Sequence, residues 1–149
     1  MKLAKLLTEE RVFLSLQATT CTEVMEELVG HLAEQGILLN GMRDRALEAL
    51  RCREEEISTG VGCGVAIPHA YLEDLAEPVA VFGRSAEGVE FDACDHAPVH
   101  FVVMMLIPEA KRGQHLLTLA DVGKRFLSCE TRQALAAAPD AQTVLSILA

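Results

Sequence analysis

The chain has 149 residues, half of them hydrophobic and only 4% aromatic, which indicates one globular domain and excludes disordered and collagen-like chains. Its longest apolar run, residues 101–107, falls well short of the roughly 20 residues that a membrane-spanning helix needs, so we expect no membrane insertion. Thirteen basic and 22 acidic residues give a net charge of −9, which disfavours nucleic acid as a partner but not a basic protein.

The first half of the chain contains one strand pattern followed by two helix patterns. Thr20 and Glu23 have capping-box spacing, and the helix that they open should end at Gly36. After an apolar link over residues 37–39, Asn40 is placed to cap a second helix. The elements predicted here are a strand over 12–16, a helix over 20–36 and a helix over 40–56.

The second half contains the strongest strand pattern. Residues 99–107 are apolar and β-branched at successive positions, which predicts a central strand buried on both faces and ended by Pro108. The other elements predicted here are strands over 78–85 and 88–91 and helices over 114–128, 129–138 and 141–148. The 114–128 helix should bury Leu116, Leu119, Ala120, Gly123 and Leu127. Without repeats or linkers, this order predicts one α/β domain over residues 1–149, with helices packed on both faces of a sheet.

Cysteine usage and the N-terminus indicate a cytoplasmic protein. Glu9, Glu10 and Arg11 interrupt any hydrophobic segment of a signal peptide. The cysteines are odd in number, widely spaced and without a Cys-x-x-Cys pair, which argues against a disulfide framework or a closed zinc site. We therefore expect reduced thiols that are mostly buried as small hydrophobic side chains, at Cys21, Cys52, Cys63, Cys94 and Cys129.

A glycine-rich loop is the strongest local feature. Residues 58–70 read Ser-Thr-Gly-Val-Gly-Cys-Gly-Val-Ala-Ile-Pro-His-Ala, with glycines at Gly60, Gly62 and Gly64. No Gly-Lys-Ser/Thr follows, and the spacing is not that of a dinucleotide fingerprint. Glycines let backbone N–H groups converge into a nest for an anion. The alternative is a tight connection that needs glycine only for its turns.

Three further side chains are candidates for a site beside this loop. His69 follows the apolar trio after the loop, where an imidazole serves as a general base or as a nucleophile that carries a group. His115 lies near the start of a predicted helix, whose dipole lowers the pKa of a nearby imidazole. Arg53 precedes the Ser-Thr pair and has the fork geometry that clamps an oxyanion. Taken singly, each also fits an ordinary structural or surface role.

A metal centre built from His69, His96, His100 and His115 is a weaker alternative. No His-Glu-x-x-His motif occurs among these residues. The sequence therefore predicts neither a metal nor any other cofactor.

Together these residues resemble a specific family. Residues 58–70 are similar to the phosphorylation-site signature of the fructose/mannitol-type enzyme IIA domain of the bacterial phosphoenolpyruvate-dependent phosphotransferase system. Downstream matches follow in the same order: 91–99 resembles the turn into the central strand, 102–108 that strand, and 115–120 the helix with the second histidine. Arg53 stands at the arginine position of the family. The resemblance covers essentially the whole chain.

The resemblance implies a mixed β-sheet with helices on both faces, and a phosphohistidine. His69 would accept a phosphoryl group from an HPr-like carrier, His115 would orient it or stabilise its charge, and Arg53 would neutralise it. The loop residues Ser58, Thr59, Gly60, Gly62, Cys63 and Gly64 would cradle it. The acceptor would be a IIB domain or a regulated protein. No metal is required if these groups supply the positive field.

One position departs from the family pattern, and the biological branch stays open. Cys63 stands where the family usually carries a small polar residue, often Asn, so a side-chain hydrogen bond would be weakened or lost there and oxidation becomes possible. The short free-standing pattern most resembles the nitrogen-regulatory branch; the alternative is a fructose- or mannitol-type sugar IIA. A module that binds partners without phosphoryl transfer, and a zinc hydrolase, are alternatives of other classes.

Overall fold

A computed structural model describes residues 3–38 and 41–149, which contain six strands and six α-helices. The strands are β1 (Val12–Phe13), β2 (Gly60–Gly62), β3 (Val65–Ala66), β4 (His69–Leu72), β5 (Val79–Val89) and β6 (Val99–Pro108). The α-helices are α1 (Leu3–Leu6), α2 (Cys21–Glu34), α3 (Met42–Glu56), α4 (Leu116–Phe126), α5 (Cys129–Ala137) and α6 (Ala141–Leu148). Short 3₁₀ helices span Glu9–Arg11 and Glu109–His115.

All six strands form one mixed sheet in the order β1-β5-β6-β3-β2, with β4 also pairing with β6. The β5–β6 and β2–β3 pairs are antiparallel, whereas β1 runs parallel to β5, and β3 and β4 run parallel to β6. β6 is the central strand, and every residue in it except His100 is buried. The prediction of a central strand covered on both faces is confirmed.

Helices cover both faces of this sheet. Alternate residues of β6 point to opposite sides, so Met104 joins one apolar core and Met105 the other. The Met104 core is completed by α2 and α3, and the Met105 core by α1, α4, α5 and α6. The predicted α/β architecture with helices on both faces is therefore confirmed.

The first predicted helix has the expected start and stop. The backbone N–H of Glu23 donates to the Thr20 hydroxyl at 3.3 Å, and that hydroxyl donates to the Glu23 carboxylate at 2.9 Å. Gly36 follows the helix with φ of 77°, a left-handed conformation that suits glycine. The predicted cap of the next helix, Asn40, lies outside the described residues, as does Leu39 of the link before it; Gly41 directly precedes α3.

Some predicted boundaries are wrong for local reasons. The first strand has two residues, and the strands expected over 78–85 and 88–91 are a single strand, β5, whose register shifts between Arg84 and Val89. An irregularity of this kind admits extra residues without ending a strand. Four of the five thiols, those of Cys52, Cys63, Cys94 and Cys129, are exposed rather than buried.

The predicted inner face of α4 is also wrong. A 3₁₀ helix occupies 109–115, so α4 begins only at Leu116. Thr118, Val122 and Phe126 are buried, whereas Leu116 and Leu127 are 62% and 71% exposed. No helix among the described residues is both long enough and apolar enough to cross a membrane.

Candidate functional site

His69 is the first residue of β4 and is half-buried next to Met105 of the central strand. Its Nδ1 lies 2.8 Å from the carbonyl oxygen of Ile67. A carbonyl accepts and does not donate, so Nδ1 carries the hydrogen and Nε2 carries the lone pair in the neutral ring. The contact therefore presents Nε2 as the nucleophilic atom.

Charge and burial both act on this imidazole. Burial lowers the pKa of His69, and the positive charge of Arg53 lowers it further, while the Ile67 hydrogen bond and the Glu54 carboxylate oppose these effects. The net direction is downward, which favours the neutral, nucleophilic ring near pH 7. Arg53 and His69, predicted together, are thus within electrostatic reach of one another.

The Arg53 side chain lies in the last turn of α3, the helix that packs against β4. Its Nη1 donates to the carbonyl oxygen of Ile57 at 2.9 Å. This hydrogen bond holds the guanidinium at the helix end, where exposed carbonyl groups favour a cation. Arg53 is therefore already positioned before any anion binds.

Glu54 organises the start of the glycine-rich segment, a role that the sequence analysis missed. Its carboxylate accepts the Thr59 backbone N–H at 2.8 Å and the Thr59 hydroxyl at 2.6 Å. Ser58 donates its hydroxyl to the Phe91 carbonyl at 2.7 Å and accepts the Gly60 N–H at 3.1 Å. The sequence does place an acidic residue five positions before Thr59, but a single sequence gives no sign that Glu54 and Thr59 are hydrogen-bonded to each other.

The glycine-rich segment itself is a β-hairpin. β2 and β3 pair with Gly62 opposite Val65, and the two residues between them, Cys63 and Gly64, have φ of 57° and 77°. Positive φ at both central residues is the mark of a type I′ turn, for which Asn-Gly and Asp-Gly are preferred. This backbone requirement explains a family preference for Asn at the Cys63 position without any contact to phosphate.

The loop N–H groups are largely engaged inside the protein. Thr59 and Gly60 donate to Glu54 and Ser58 as described, and the Cys63 N–H donates to the Asp95 carboxylate at 3.0 Å. Gly60 also allows close chain approach, because a Cβ there would lie 2.7 Å from the Ala93 Cβ. A phosphate cradle made by this loop stays a prediction, and using the Cys63 N–H would require its release from Asp95.

His115 ends the 3₁₀ helix before α4 and is only 3% exposed, which excludes the solvent-facing alternative. Burial lowers the pKa of His115, and the Lys111 charge acts in the same direction. Its buried Nδ1 makes no hydrogen bond within the described part of the chain. A neutral imidazole with an unsatisfied buried nitrogen is costly to fold, and such groups are frequently functional.

A chain of ring contacts connects the 3₁₀ helix to His69. The Arg112 guanidinium lies 3.9 Å from the centre of the Tyr71 ring, and that ring meets the His69 ring edge-on at 6.3 Å. His69 and Tyr71 are alternate residues of β4, so both point to the α4 side of the sheet. The segment that ends at His115 therefore crosses the same face of β4 as His69.

Exposed apolar side chains flank these residues along the chain. Ile57 precedes the hairpin, Val61 lies within it, and Leu116 and Leu117 follow His115; their exposed fractions range from 53% to 78%. Leu127 at the end of α4 shares a small groove with Val61. We call these five residues the apolar rim. Large exposed apolar side chains are typical of protein-docking surfaces.

The other histidines have separate surroundings. His31 stacks on Phe13 with ring centres 4.0 Å apart, His96 lies near Asp92, and His100 donates from Nδ1 to the Ser85 carbonyl at 2.8 Å. Among residues 3–38 and 41–149, no three His, Cys, Asp or Glu side chains are grouped to hold a metal ion.

Comparisons with known proteins agree with this arrangement. The sequence model described as "Phosphoenolpyruvate-dependent sugar phosphotransferase system, EIIA 2" matches residues 5–149. A nitrogen regulatory protein of Bradyrhizobium diazoefficiens is 33% identical over 150 residues, covering 100% of this chain and 95% of that protein. The fructose-specific EIIA component of Haloferax volcanii is 42% identical over 107 residues, covering 72% of this chain and 70% of that protein.

Solved structures share the whole fold. The nitrogen regulatory protein IIA-Ntr from Neisseria meningitidis superposes with a TM-score of 0.90 at 31% identity, covering 98% of each chain. Escherichia coli mannitol enzyme IIA, solved in complex with its phosphorylated enzyme IIB, has a TM-score of 0.79 at 21% identity, covering 95% of this chain and 96% of that one, and supports the fold alone. The chain thus belongs to the EIIA type 2 family of the phosphoenolpyruvate-dependent phosphotransferase system and is a phosphotransferase component.

Proposed function

We propose that this protein carries a phosphoryl group on Nε2 of His69, received from an HPr-like phosphocarrier. The observation that carries the proposal is the 2.8 Å hydrogen bond from His69 Nδ1 to the Ile67 carbonyl, which leaves Nε2 as the atom with a lone pair. The lowered pKa of His69 keeps that ring neutral at pH 7. Both features favour attack on phosphorus.

The transfer balances without an external acid, base or metal. The Nε2 lone pair forms a bond to phosphorus while the bond from phosphorus to the donor imidazole breaks, and the donor ring regains its lone pair. Nδ1 keeps its hydrogen throughout, held by Ile67, and that hydrogen bond also offsets the charge that the phosphorylated ring acquires. Phosphohistidine stays reactive enough to pass the group onward.

Arg53, which is cationic, and His115, which is neutral, would stabilise the equatorial oxygens of the phosphoryl group during transfer. The Arg53 guanidinium already acts on His69 electrostatically, so it can neutralise the dianionic phosphoryl group. Burial lowers the pKa of His115 and favours its neutral form, which keeps one N–H and would donate it as a hydrogen bond to the phosphoryl group. We assign to Ser58, Thr59 and the loop glycines the shaping of the hairpin that leads to His69.

The donor and the acceptor would dock on the apolar rim. Its five residues flank the hairpin, Arg53 and His115 along the chain, and we assign to a partner seated there the exclusion of water from the transfer. The net charge of −9 favours a basic partner face over an acidic one. The acceptor, a IIB domain or a regulated protein, would dock on the same rim after the donor has left.

The regulatory branch is the function that we favour. The nitrogen regulatory relative aligns over the whole chain, and the IIA-Ntr structure covers 98% of each chain. Phosphorylation adds charge at one half-buried histidine, which lets a target protein distinguish the two forms. A sugar-transport role is the second candidate, because the fructose-specific relative is 42% identical over its aligned part.

Phosphorylation with phosphoenolpyruvate, enzyme I and HPr tests the proposal, with a parallel arm that uses the nitrogen-branch carriers. We expect one acid-labile phosphoryl group per chain, absent in His69→Ala and retained in His96→Ala, the matched exposed histidine. Label that survives His69→Ala, or no label from either carrier set, contradicts the proposal. Rapid removal of the label by a IIB domain would identify the sugar branch instead.

A further inference from the structure

A cavity lies toward the other end of the sheet from His69. It has a volume of about 470 Å³ and opens between α5 and the paired residues Arg84 and Phe101 of β5 and β6. Phe101 precedes the partner of His69, Met105, by four residues along β6, which is roughly 13 Å. The cavity is therefore a place distinct from the phosphorylation site, and its volume is in the range of small-molecule pockets.

Basic side chains line this cavity, and none of its lining residues is acidic. Arg84, Arg132 and His100 are among its eleven lining residues, none of which is Asp or Glu. The chain has 22 acidic residues and 13 basic ones, so a cavity lined by two arginines and no acidic residue differs in charge from the protein as a whole. Such local positive charge on an acidic protein selects for a negatively charged ligand.

The two guanidinium groups are anchored by the backbone. Arg84 donates from Nε to the Leu14 carbonyl at 3.2 Å and from Nη1 to the Leu135 and Ala138 carbonyls at 2.9 and 2.7 Å. Arg132 donates from Nη1 to the Phe126 carbonyl at 2.6 Å. Within the described residues, Nη2 of Arg84 and both Nε and Nη2 of Arg132 make no hydrogen bond. Preorganised donors of this kind bind a carboxylate at little entropic cost.

The remaining walls are largely apolar. Phe101, which is buried, lines the cavity together with Leu14 and Ala136. Apolar walls with a few convergent polar groups are typical of sites for small organic ligands. We propose that this cavity binds a small organic carboxylate with an apolar body, its carboxylate at the two arginines and its body against Phe101.

The site has a direct connection to the hairpin. The backbone N–H groups of His100 and Phe101 both donate to the Gly64 carbonyl, at 2.8 and 2.9 Å. The His100 imidazole lines the cavity, and its Cδ2 would lie 3.5 Å from a Cβ at Gly64. A ligand here thus touches a residue that is bonded to the turn leading to His69.

Titration of the protein with phenylacetate, followed by amide chemical shifts, tests this site. We expect saturable shifts that cluster at Arg84, His100, Phe101 and Arg132, with a millimolar or tighter dissociation constant. Phenylacetamide has the same body without charge, and acetate has the charge without the body; both should bind at least about tenfold more weakly. Equal binding of phenylacetamide, shifts that cluster elsewhere, or no saturation with phenylacetate would overturn the proposal.

Two variants separate binding from folding. Arg132→Gln should weaken phenylacetate at least about tenfold, because a charge-assisted pair is lost. Gln133→Glu places a carboxylate at an exposed lining position without removing an internal hydrogen bond, and it should weaken binding similarly. Arg51→Gln, an exposed arginine of α3, is the matched control and should bind as the unmodified protein does. Unchanged affinity in Gln133→Glu would contradict the assignment.

Discussion

His69 donates from Nδ1 to the carbonyl oxygen of Ile67, two residues earlier, at 2.8 Å. Pro68 separates the two residues and has no N–H of its own, so the turn is closed by the imidazole. The backbone therefore sets the tautomer of the proposed nucleophile. This bond ties the reactive ring to the segment that connects the hairpin to β4.

Arg53 and Glu54 should move the pKa of His69 in opposite directions. The positive charge of Arg53 lowers that pKa and the negative charge of Glu54 raises it. Arg53→Gln should therefore raise the pKa of His69, and Glu54→Gln should lower it. Titration of the His69 ring signals by NMR measures both, and shifts of the same sign would contradict the placement of these charges.

Replacing His115 by Leu should separate stability from activity. The buried Nδ1 of His115 lacks a hydrogen-bond partner in the described chain, so an apolar side chain of similar size should change the free energy of unfolding by no more than about 1 kcal/mol. Loss of the proposed donor should slow phosphorylation of His69 about 100-fold. Urea unfolding and initial labelling rates check the two parts, and unchanged rates would remove His115 from the site.

The type I′ turn makes a clear prediction at Cys63. Its φ of 57° is tolerated by Asn and disfavoured for a β-branched residue, so Cys63→Asn should stabilise the fold by about 0.5–1 kcal/mol and Cys63→Val should destabilise it. Thermal unfolding measures both. If Cys63→Asn also leaves the labelling rate of His69 unchanged, the thiol has no part in the transfer.

Two glycine positions should respond oppositely to Ala. A Cβ at Gly60 would lie 2.7 Å from the Ala93 Cβ and 2.9 Å from its Cα, so Gly60→Ala should destabilise the fold by about 1–3 kcal/mol. Gly30 lies inside α2, where a Cβ meets nothing within 4 Å, and Gly30→Ala should stabilise by about 0.5–1 kcal/mol. Equal effects in denaturant unfolding would show that the hairpin is not held against Ala93.

Stability should fall as the solution is acidified through the ordinary histidine range. The pKa values of His69 and His115 are lowered in the folded chain, so the unfolded chain binds more protons as the pH falls through about 6.5. The urea midpoint should therefore be lower at pH 5.5 than at pH 7.5. His69→Gln should reduce this difference, and a difference unchanged by this substitution would contradict the effect of burial on the ring.

Local patterns in the sequence were sufficient to predict several elements of the fold and the main candidate residue of the site. Capping-box spacing located the start of α2, continuous apolar residues identified β6 as the central strand, and the thirteen-residue signature pointed to His69. These features depend on neighbours within a few residues, so a single chain reveals them. The glycine spacing was equally visible, but an anion nest and a hairpin turn require the same backbone freedom.

Tertiary structure decided the points that depend on contacts between distant segments. The charge of Arg53 beside His69, the bond from Cys63 to Asp95 and the arginine-lined cavity under α5 join residues far apart in the chain. The buried face of the segment after β6 carries His115, Val122 and Phe126, whereas apolar periodicity in the sequence favoured the face of Leu116 and Leu127. The sequence by itself determined which residue types are available for phosphoryl transfer; three-dimensional packing decided which atoms face one another, because burial and charge act through space rather than along the chain.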